Sequence, residues 1–142
     1  MIRWLTVLLV LLPWTVEGAG TRVGVARLDI TPKHPIRMGG YAARTHASTG
    51  VAQRLWAKAL AIEDAGGRRV VIVTMDLLRV PRGIDETVLA ELRRRHGLER
   101  SQILFNCSHN HSGPAPWEND PFTPLPPDEY ETCRRHVTEV TA

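Results

Sequence analysis

Two histidines, His109 and His111, are the residues of this chain whose type and spacing best suit metal chemistry. They follow an apolar run at residues 103–105, which is typical of a buried strand. Side chains two positions apart on a strand project from the same face, so both imidazoles can reach one metal ion while Asn110 points away. Residues 112–114, Ser-Gly-Pro, are expected to end the strand and leave the pair at its exit. The pattern predicts a metal site there.

The residues around the pair narrow the class of site. A metallo-β-lactamase type of centre requires Asp and His directly after the pair, where this chain has Gly113 and Pro114. An amidohydrolase barrel carries His-x-His on its first strand, whereas several predicted strands precede the pair here. Catalytic zinc takes three protein ligands and keeps one position open for water, so two histidines do not complete such a site. Cys107 shares the predicted face of His109 and is a weaker candidate for a third ligand.

The elements that must position the histidines alternate between strands and helices. Strands are expected over residues 21–30, 55–63, 69–75 and 102–108. The Asp-Ala-Gly-Gly turn at residues 64–67 predicts a hairpin between the second and third strands. A helix is expected from Pro81 to Gly97, between the third and fourth strands, which indicates a βαβ crossover and a parallel pair.

A last helix is expected to begin near Pro127 and to bury an apolar stripe that contains Cys133 and Val137. Its final residues carry no Gly, Pro or other stop signal, so residues 19–142 are interpreted as a domain incomplete at its C-terminus. The predicted fold class is therefore α/β. It has a mixed sheet with a β-hairpin followed by a βαβ crossover, and it forms the truncated N-terminal part of a larger α/β catalytic domain.

Composition and charge fit an ordinary globular domain. Hydrophobic residues make up 43% of the 142 positions, and 18 Lys plus Arg against 15 Asp plus Glu give a net charge of +3. Because the positive charge is mild and scattered, it does not indicate a nucleic-acid partner. His34, His46, His96 and His136 have no predictable partner and are expected on the surface.

The N-terminus is typical of an exported protein. Arg3 precedes an apolar stretch that is too short to span a bilayer, followed by Val-Glu-Gly at residues 16–18. A signal peptide is therefore predicted at residues 1–18, with export to the periplasm or beyond; an uncleaved anchor is the alternative. In an oxidising compartment, Cys107 and Cys133 either form a disulfide or remain as buried thiols.

Five stretches of the chain together resemble the N-terminal part of the neutral/alkaline non-lysosomal ceramidase family. The most specific is Ser-His-Asn-His-Ser-Gly-Pro at residues 108–114, where the family carries His-Thr-His-Ser-Gly-Pro. Asn110 stands in place of the usual Thr, and Trp56 stands where Tyr is common. The other four stretches keep the family's order and spacing and cover residues 25–32, 38–41, 54–60 and 73–78.

The resemblance implies an exported zinc-dependent amidase that hydrolyses the amide bond of N-acylsphingosine to a fatty acid and sphingosine. His109 and His111 correspond to two zinc ligands of the family. The family's other ligands (a His, a Glu and a Tyr) and its catalytic serine lie downstream of residue 142. The expected partner is a ceramide-like lipid amide, met at a membrane surface.

Four further residues are candidates near such a site. Asp76 ends a predicted strand and is placed to hold the second nitrogen of a histidine, although capping a loop is equally consistent with its position. Gly39 and Gly40 allow backbone N–H groups to approach a substrate, or form a plain tight turn. Tyr41 follows them and is the fourth candidate.

Two other functions remain open from the sequence. The first is an exported domain that is catalytically inactive because its metal site is incomplete. The second is a small binding module that uses the proline-rich loop around Trp117 as its contact surface.

Overall fold

The computed structural model describes residues 20–41, 43–80, 82–115 and 125–141. The predicted signal peptide and the loop around Trp117 lie outside the described residues. Four strands form one sheet in the order β1, β2, β3, β4. The elements are β1 (Arg22–Asp29), β2 (Trp56–Glu63), β3 (Arg69–Met75), α1 (Arg82–His96), β4 (Ile103–Cys107) and α2 (Pro127–Thr141), with a 3₁₀ turn at Arg100–Gln102 before β4. In the described parts of the chain, no helix is long and apolar enough to cross a membrane.

The hairpin between β2 and β3 forms as the turn residues predict. The Asp64 carboxylate accepts hydrogen bonds from the backbone N–H groups of Gly66 and Arg68. Gly67 adopts a φ of +79°, a left-handed conformation that costs glycine little. The strands leave this turn in antiparallel register, with Glu63 opposite Arg69. The Glu63 carboxylate is nearly buried and forms ion pairs with Arg22 and Arg69.

The βαβ crossover is confirmed. Helix α1 ends in a basic turn, and Gly97 follows with a φ of +65° while its N–H donates to the Arg93 carbonyl. Strand β4 then pairs parallel to β3, whereas β1–β2 and β2–β3 are antiparallel. The sheet is therefore mixed, as predicted. Strand β4 begins one residue later than expected, because the Gln102 side chain bonds the Glu99 N–H and the Arg69 carbonyl.

One face of the sheet carries the core. Met75 packs there with Leu77, with Ile30 after β1, and with Val88 of α1 and Val137 of α2. The predicted apolar stripe of α2 is confirmed at Cys133 and Val137, both fully buried. The opposite face is uncovered by the described residues and exposes Val23, Val25, Val70 and Leu104. Both helices thus pack on the same face of the sheet. The carboxyl ends of the parallel strands β3 and β4 lead toward the histidines.

Candidate functional site

The predicted histidine pair lies beyond the strand, not on it. Strand β4 ends at Cys107, and His109 has a φ of +57°, so the backbone reverses where a continuous strand was expected. The prediction that a strand face aligns the two imidazoles is therefore wrong. The loop nevertheless brings the rings of His109 and His111 together, with centroids 5.2 Å apart and planes at 78°.

The His109 ring is oriented by the loop that follows β3. Its Nδ1 lies 3.2 Å from the Leu78 carbonyl oxygen, and a proton on Nδ1 is donated to that oxygen. This contact leaves the Nε2 lone pair free for a metal ion, which is how ligating histidines are commonly held. Because β3 and β4 are parallel, their carboxyl ends meet at one sheet edge, and Leu78 is carried to His109.

The His111 ring is held by packing. A Cβ placed on Gly40 would lie 2.0 Å from His111 Nδ1, so only a glycine allows the ring to occupy this position. The Tyr41 ring covers it, with centroids 4.7 Å apart. His111 Nδ1 is buried and has no hydrogen-bond partner. Tyr41 and His109 are the non-glycine residues with positive φ in the described ranges, and both lie at this site.

The turn at residues 38–41 is joined to the histidine loop through its backbone. Gly39 donates its N–H to the Gly113 carbonyl at 2.9 Å, and Met38 forms an isolated antiparallel bridge with Pro114. The Gly39 N–H is therefore occupied within the chain, and of the two roles considered for this residue the structural one is observed. Gly40 acts through its lack of a side chain.

Asp76 lies close to the site, and its side chain is engaged elsewhere. Its carboxylate accepts the Trp56 N–H at 2.9 Å, and its own N–H donates to the Trp56 carbonyl. The acceptor beside His109 is the Leu78 carbonyl, two residues further along. A role for Asp76 in orienting a histidine stays a prediction.

A cleft of about 730 Å³ opens beside the histidine loop. Ser108, Asn110 and Ser112 contribute hydroxyl and amide groups to its wall, together with Asp76. The Asn110 side-chain oxygen accepts the Ser112 N–H, which fixes the loop between the cleft and the imidazoles. The apolar part of the lining consists of Ile36, Met38, Val51, Ala52, Leu55 and the prolines Pro32, Pro35 and Pro114. Neither His109 nor His111 lines the cleft.

The separation of the two imidazoles is compatible with their sharing one zinc ion. Zn–N bonds of about 2.0–2.1 Å in a tetrahedral arrangement place two ring centroids about 5 Å apart. The observed 5.2 Å matches this spacing, and the His109 ring already has its Nδ1 partner. Within the described ranges, no group of three His, Cys, Asp or Glu side chains is close enough to hold a metal ion. Cys107 is therefore not a third ligand in this arrangement.

Both cysteines are free thiols, which settles the alternative left open by the sequence. Cys133 is buried, and its Sγ lies 3.5 Å from the Arg37 carbonyl oxygen. Burial raises the pKa of both thiols above its ordinary value. Neither is thereby suited to act as a thiolate nucleophile.

Three contacts were not predictable from sequence. The expectation that His136 is a surface residue is wrong, because its Nε2 lies 2.9 Å from the Ile30 carbonyl oxygen at the end of β1. Arg37 and Arg44 carried no motif, yet Arg44 donates to the His111 carbonyl and Arg37 donates to the Thr45 carbonyl. The signal for these contacts in the sequence was that both arginines lie within a small, turn-rich segment.

Fold and site together define an α/β domain with a candidate metal centre at the carboxyl ends of its parallel strands. Residues 21–133 match the N-terminal region of the neutral/alkaline non-lysosomal ceramidase family. The chain belongs to this family, as the sequence motifs had indicated.

Individual relatives agree with this assignment. The chain is 33% identical over 108 residues to a neutral ceramidase of Pseudomonas aeruginosa, which covers 73% of this chain and 16% of that protein. It is 30% identical over 117 residues to a neutral ceramidase of Oryza sativa subsp. japonica, covering 79% of this chain and 15% of the relative. The chain thus spans about one sixth of the length of these relatives.

The fold is also that of a solved relative. The crystal structure of neutral ceramidase from Pseudomonas aeruginosa superposes with a TM-score of 0.68 at 26% identity. The superposition covers 84% of this chain and 20% of that structure. The predicted α/β fold class is therefore confirmed.

Proposed function

We propose that this chain provides the histidine-bearing part of an exported, zinc-dependent hydrolase that cleaves the amide bond of N-acylsphingosine or a related lipid amide. The observation that supports the proposal is the pair of imidazoles, whose ring centroids lie 5.2 Å apart inside the region that matches the ceramidase family. The relatives named above are neutral ceramidases, which supports a lipid amide as the substrate.

His109 and His111 would hold the zinc as neutral imidazoles. When bound, zinc lowers the pKa of a coordinated water to about 7 and polarises a carbonyl oxygen. The chain keeps His109 in the correct tautomer through the Leu78 carbonyl. It keeps the His111 ring in place through Gly40 and Tyr41. The exposed Tyr41 ring lies at the rim of the pair and is suited to contact a substrate.

The cleft beside the histidine loop suits an amphipathic lipid. Its serine and asparagine side chains can bond the hydroxyl and amide groups of a sphingoid head. Its apolar lining suits a methylene chain. Such a substrate is presented by a membrane surface, so the enzyme would work at that surface.

Two histidines leave a zinc ion short of ligands, and the chain spans about 16% of the length of the Pseudomonas relative. Hydrolysis is therefore proposed for the whole hydrolase, with further ligands supplied beyond the described residues. An exported location is proposed from the signal peptide predicted at residues 1–18. The binding-module alternative is not favoured, because the family match runs through the histidine loop.

Zinc binding by the purified chain tests the metal site. Zinc is titrated calorimetrically into the wild type and into His109→Ala, His111→Ala and His46→Ala. We expect either of the first two substitutions to weaken binding strongly, since each removes a ligand. His46 is exposed, and its contact is to the neighbouring Ala47 carbonyl, so its variant is the matched control. Equal affinity in all four proteins would reject the zinc site.

A chimera tests the reaction. Residues 21–133 replace the matching segment of the Pseudomonas aeruginosa neutral ceramidase, and fatty-acid release from N-acylsphingosine is measured. We expect hydrolysis by the chimera and its loss in the His111→Ala chimera. A folded, zinc-loaded chimera without hydrolysis would favour the inactive domain that the sequence left open.

A further inference from the structure

We infer that the uncovered face of the sheet binds a long-chain carboxylate through a pair of cations, Arg27 and Lys58. This site is separate from the histidine loop and needs no metal ion. Only the source of the carboxylate rests on the proposed function, because the hydrolysis proposed above releases a fatty acid. We call this side of the sheet, opposite to the helices, the open face.

The strand register arranges the side chains of the open face in rows that cross the sheet. Residues two apart on a strand share a face, so successive rows lie about 7 Å apart. The two apolar rows consist of Val23, Ile62 and Val70, and of Val25, Leu60, Ile72 and Leu104. The next row is polar and consists of Arg27, Lys58, Thr74 and Asn106. The open face therefore has an apolar area with cations along one side of it.

The two cations of the polar row face each other without a carboxylate between them. Arg27 lies directly opposite Lys58 in the antiparallel pair of β1 and β2. Like charges in directly opposite positions destabilise a strand pair. Among the described residues, neither cation forms an ion pair with an acidic side chain. Asp29 lies on the same face of β1, but its carboxylate pairs with Arg54. An anion bound between Arg27 and Lys58 would relieve their repulsion.

Trp56 holds the Arg27 guanidinium close to the sheet. The guanidinium carbon lies 4.9 Å from the centroid of the Trp56 ring, which is a cation–π distance. A guanidinium that lies over an aromatic ring keeps the N–H donors at its edge, and these match the two oxygens of a carboxylate. The site therefore suits a fatty acid and repels the cationic amine of a sphingoid base.

A shallow cavity of about 580 Å³ joins the cations to the apolar rows. Sites for small molecules commonly enclose about 300–1,000 Å³ and combine an apolar lining with a few placed polar groups. The lining of this cavity includes Val25, Arg27, Lys58, Leu60, Ile72 and Thr74. From the polar row to the farther apolar row the strands run about 13 Å, so an alkyl chain that starts at the cations covers both apolar rows. Covering this surface is favourable, since Val25 alone is 81% exposed.

The test titrates sodium laurate calorimetrically into the purified chain, without zinc and below the concentration at which laurate forms micelles. Arg27→Gln and Lys58→Gln each remove one cation, and Val25→Gln removes an apolar side chain. Lys33→Gln is the control for charge, because Lys33 is exposed in the loop after β1. Leu28→Gln is the control for apolar surface, because Leu28 is 52% exposed on the other face of the same strand. Thermal unfolding shows that each variant is folded.

We expect Arg27→Gln and Lys58→Gln each to weaken laurate binding about fivefold, which is the effect of losing a solvent-exposed ion pair. The double variant is expected to lose more than either single variant. Val25→Gln is expected to weaken binding as well, whereas Lys33→Gln and Leu28→Gln should match the wild type. Dodecylamine carries an alkyl chain of the same length on a cationic head, and we expect it to bind the wild type more weakly than laurate does.

Equal laurate affinity in the wild type and in the double variant of Arg27 and Lys58 would overturn the proposal. A loss of affinity in Lys33→Gln alone would also overturn it, because laurate would then lie in the cleft beside the histidine loop. Two further results assign the open face to another occupant and contradict the proposal. One is a wild-type chain that sediments as a dimer and separates in Val25→Gln. The other is binding to anionic phospholipid vesicles without binding of dispersed laurate.

Failure of the proposed function looks different. If that function is wrong, the chimera releases no fatty acid from N-acylsphingosine, while the chain still binds laurate in the absence of zinc. If only the inference about the open face is wrong, the chimera hydrolyses its substrate and the chain does not bind laurate through Arg27 and Lys58.

Discussion

At the scale of single residues, the histidine pair is assembled from unusual backbone conformations. Tyr41 and His109 both have a φ of +57°, and Gly40, which precedes Tyr41, has a φ of +75°. Non-glycine residues avoid this region, and strained positions persist where the surrounding structure holds them and function requires them. Gly40 and Tyr41 contact the His111 ring, and His109 supplies the neighbouring ring. The unusual backbone conformations therefore lie beside the proposed ligands.

Gly40→Ala is expected to disrupt the pair. The new Cβ would lie 2.0 Å from His111 Nδ1, so the imidazole must move. We expect zinc affinity in calorimetric titration to fall at least tenfold, as it does when the support of a ligand is lost.

Gly67→Ala is the control for this substitution. Gly67 has a similar φ of +79°, and its added Cβ would meet nothing within 4 Å. Gly67→Ala is therefore expected to lower the free energy of unfolding in urea by about 1–2 kcal/mol, the cost of a left-handed backbone for a residue with a side chain. Zinc affinity is expected to stay unchanged. Equal zinc affinities in the two variants would contradict the packing seen at His111.

Asp29 is expected to make stability depend on pH in the acid range. Hydrogen bonds from the Thr31 hydroxyl and amide, followed by the Arg54 guanidinium, lower the pKa of Asp29 from its ordinary 3.8 to about 2. Because the folded-state pKa is the lower one, the stabilisation is present above 3.8 and is lost as pH falls through 2. The melting temperatures of wild type and Asp29→Asn should differ most near neutral pH and converge toward pH 2. A constant difference would argue against the contact.

At the scale of elements, strand β3 does most to place the site. It pairs antiparallel with β2 and parallel with β4, and its last residue, Met75, is 2% exposed in the core. The chain then continues through Leu77, also buried, to Leu78, whose carbonyl meets His109. Packing at the end of β3 therefore sets the position of one imidazole.

Met75→Ala is expected to lower the free energy of unfolding by about 2–5 kcal/mol, because it leaves a cavity in the core. Val70→Ala in the same strand is the comparison, since Val70 is 48% exposed on the opposite face. Its cost should stay below about 1 kcal/mol. Urea unfolding measures both. Similar costs for the two would mean that the helices do not pack on the Met75 face.

At the scale of the whole molecule, the sheet is covered by helices on one face only. Val25 is 81% exposed and Leu104 is 57% exposed on the other face, with Val23 and Val70 beside them. Contiguous apolar surface of this kind binds other apolar surfaces or dyes, because removing it from water is favourable. The described residues therefore form a layered domain with one apolar face accessible.

Val25→Lys is expected to reduce the binding of a hydrophobic fluorescent dye to the native chain. The lysine places a charge on the edge strand of the exposed face, at the position opposite Leu60. Leu28→Lys is the matched control, because Leu28 belongs to the same strand, projects to the other face and is 52% exposed. We expect dye fluorescence to fall in the first variant alone. An equal decrease in both would show that the dye binds elsewhere.

Much of the fold could be predicted from sequence because its signals are local. Strand β3 was placed at its observed bounds by a β-branched run, and Gly67 and Gly97 marked turns where positive φ is required. The length of the crossover helix implied the parallel pair, since parallel strands need such a connection. The histidines and their family motif were likewise readable, because they lie within seven consecutive residues.

The environment of the histidines was decided only by tertiary structure. Arg44 and the His111 carbonyl lie 67 positions apart, and His136 meets Ile30 across 106 positions. Such contacts depend on how the turn at residues 38–41 and helix α2 pack against the sheet, which no local pattern specifies. The sequence by itself therefore determined the elements and the identity of the candidate ligands. The packed chain determined where strand β4 ends, which groups contact each imidazole and that the two ring centroids lie 5.2 Å apart, because these follow from long-range packing and hydrogen bonding.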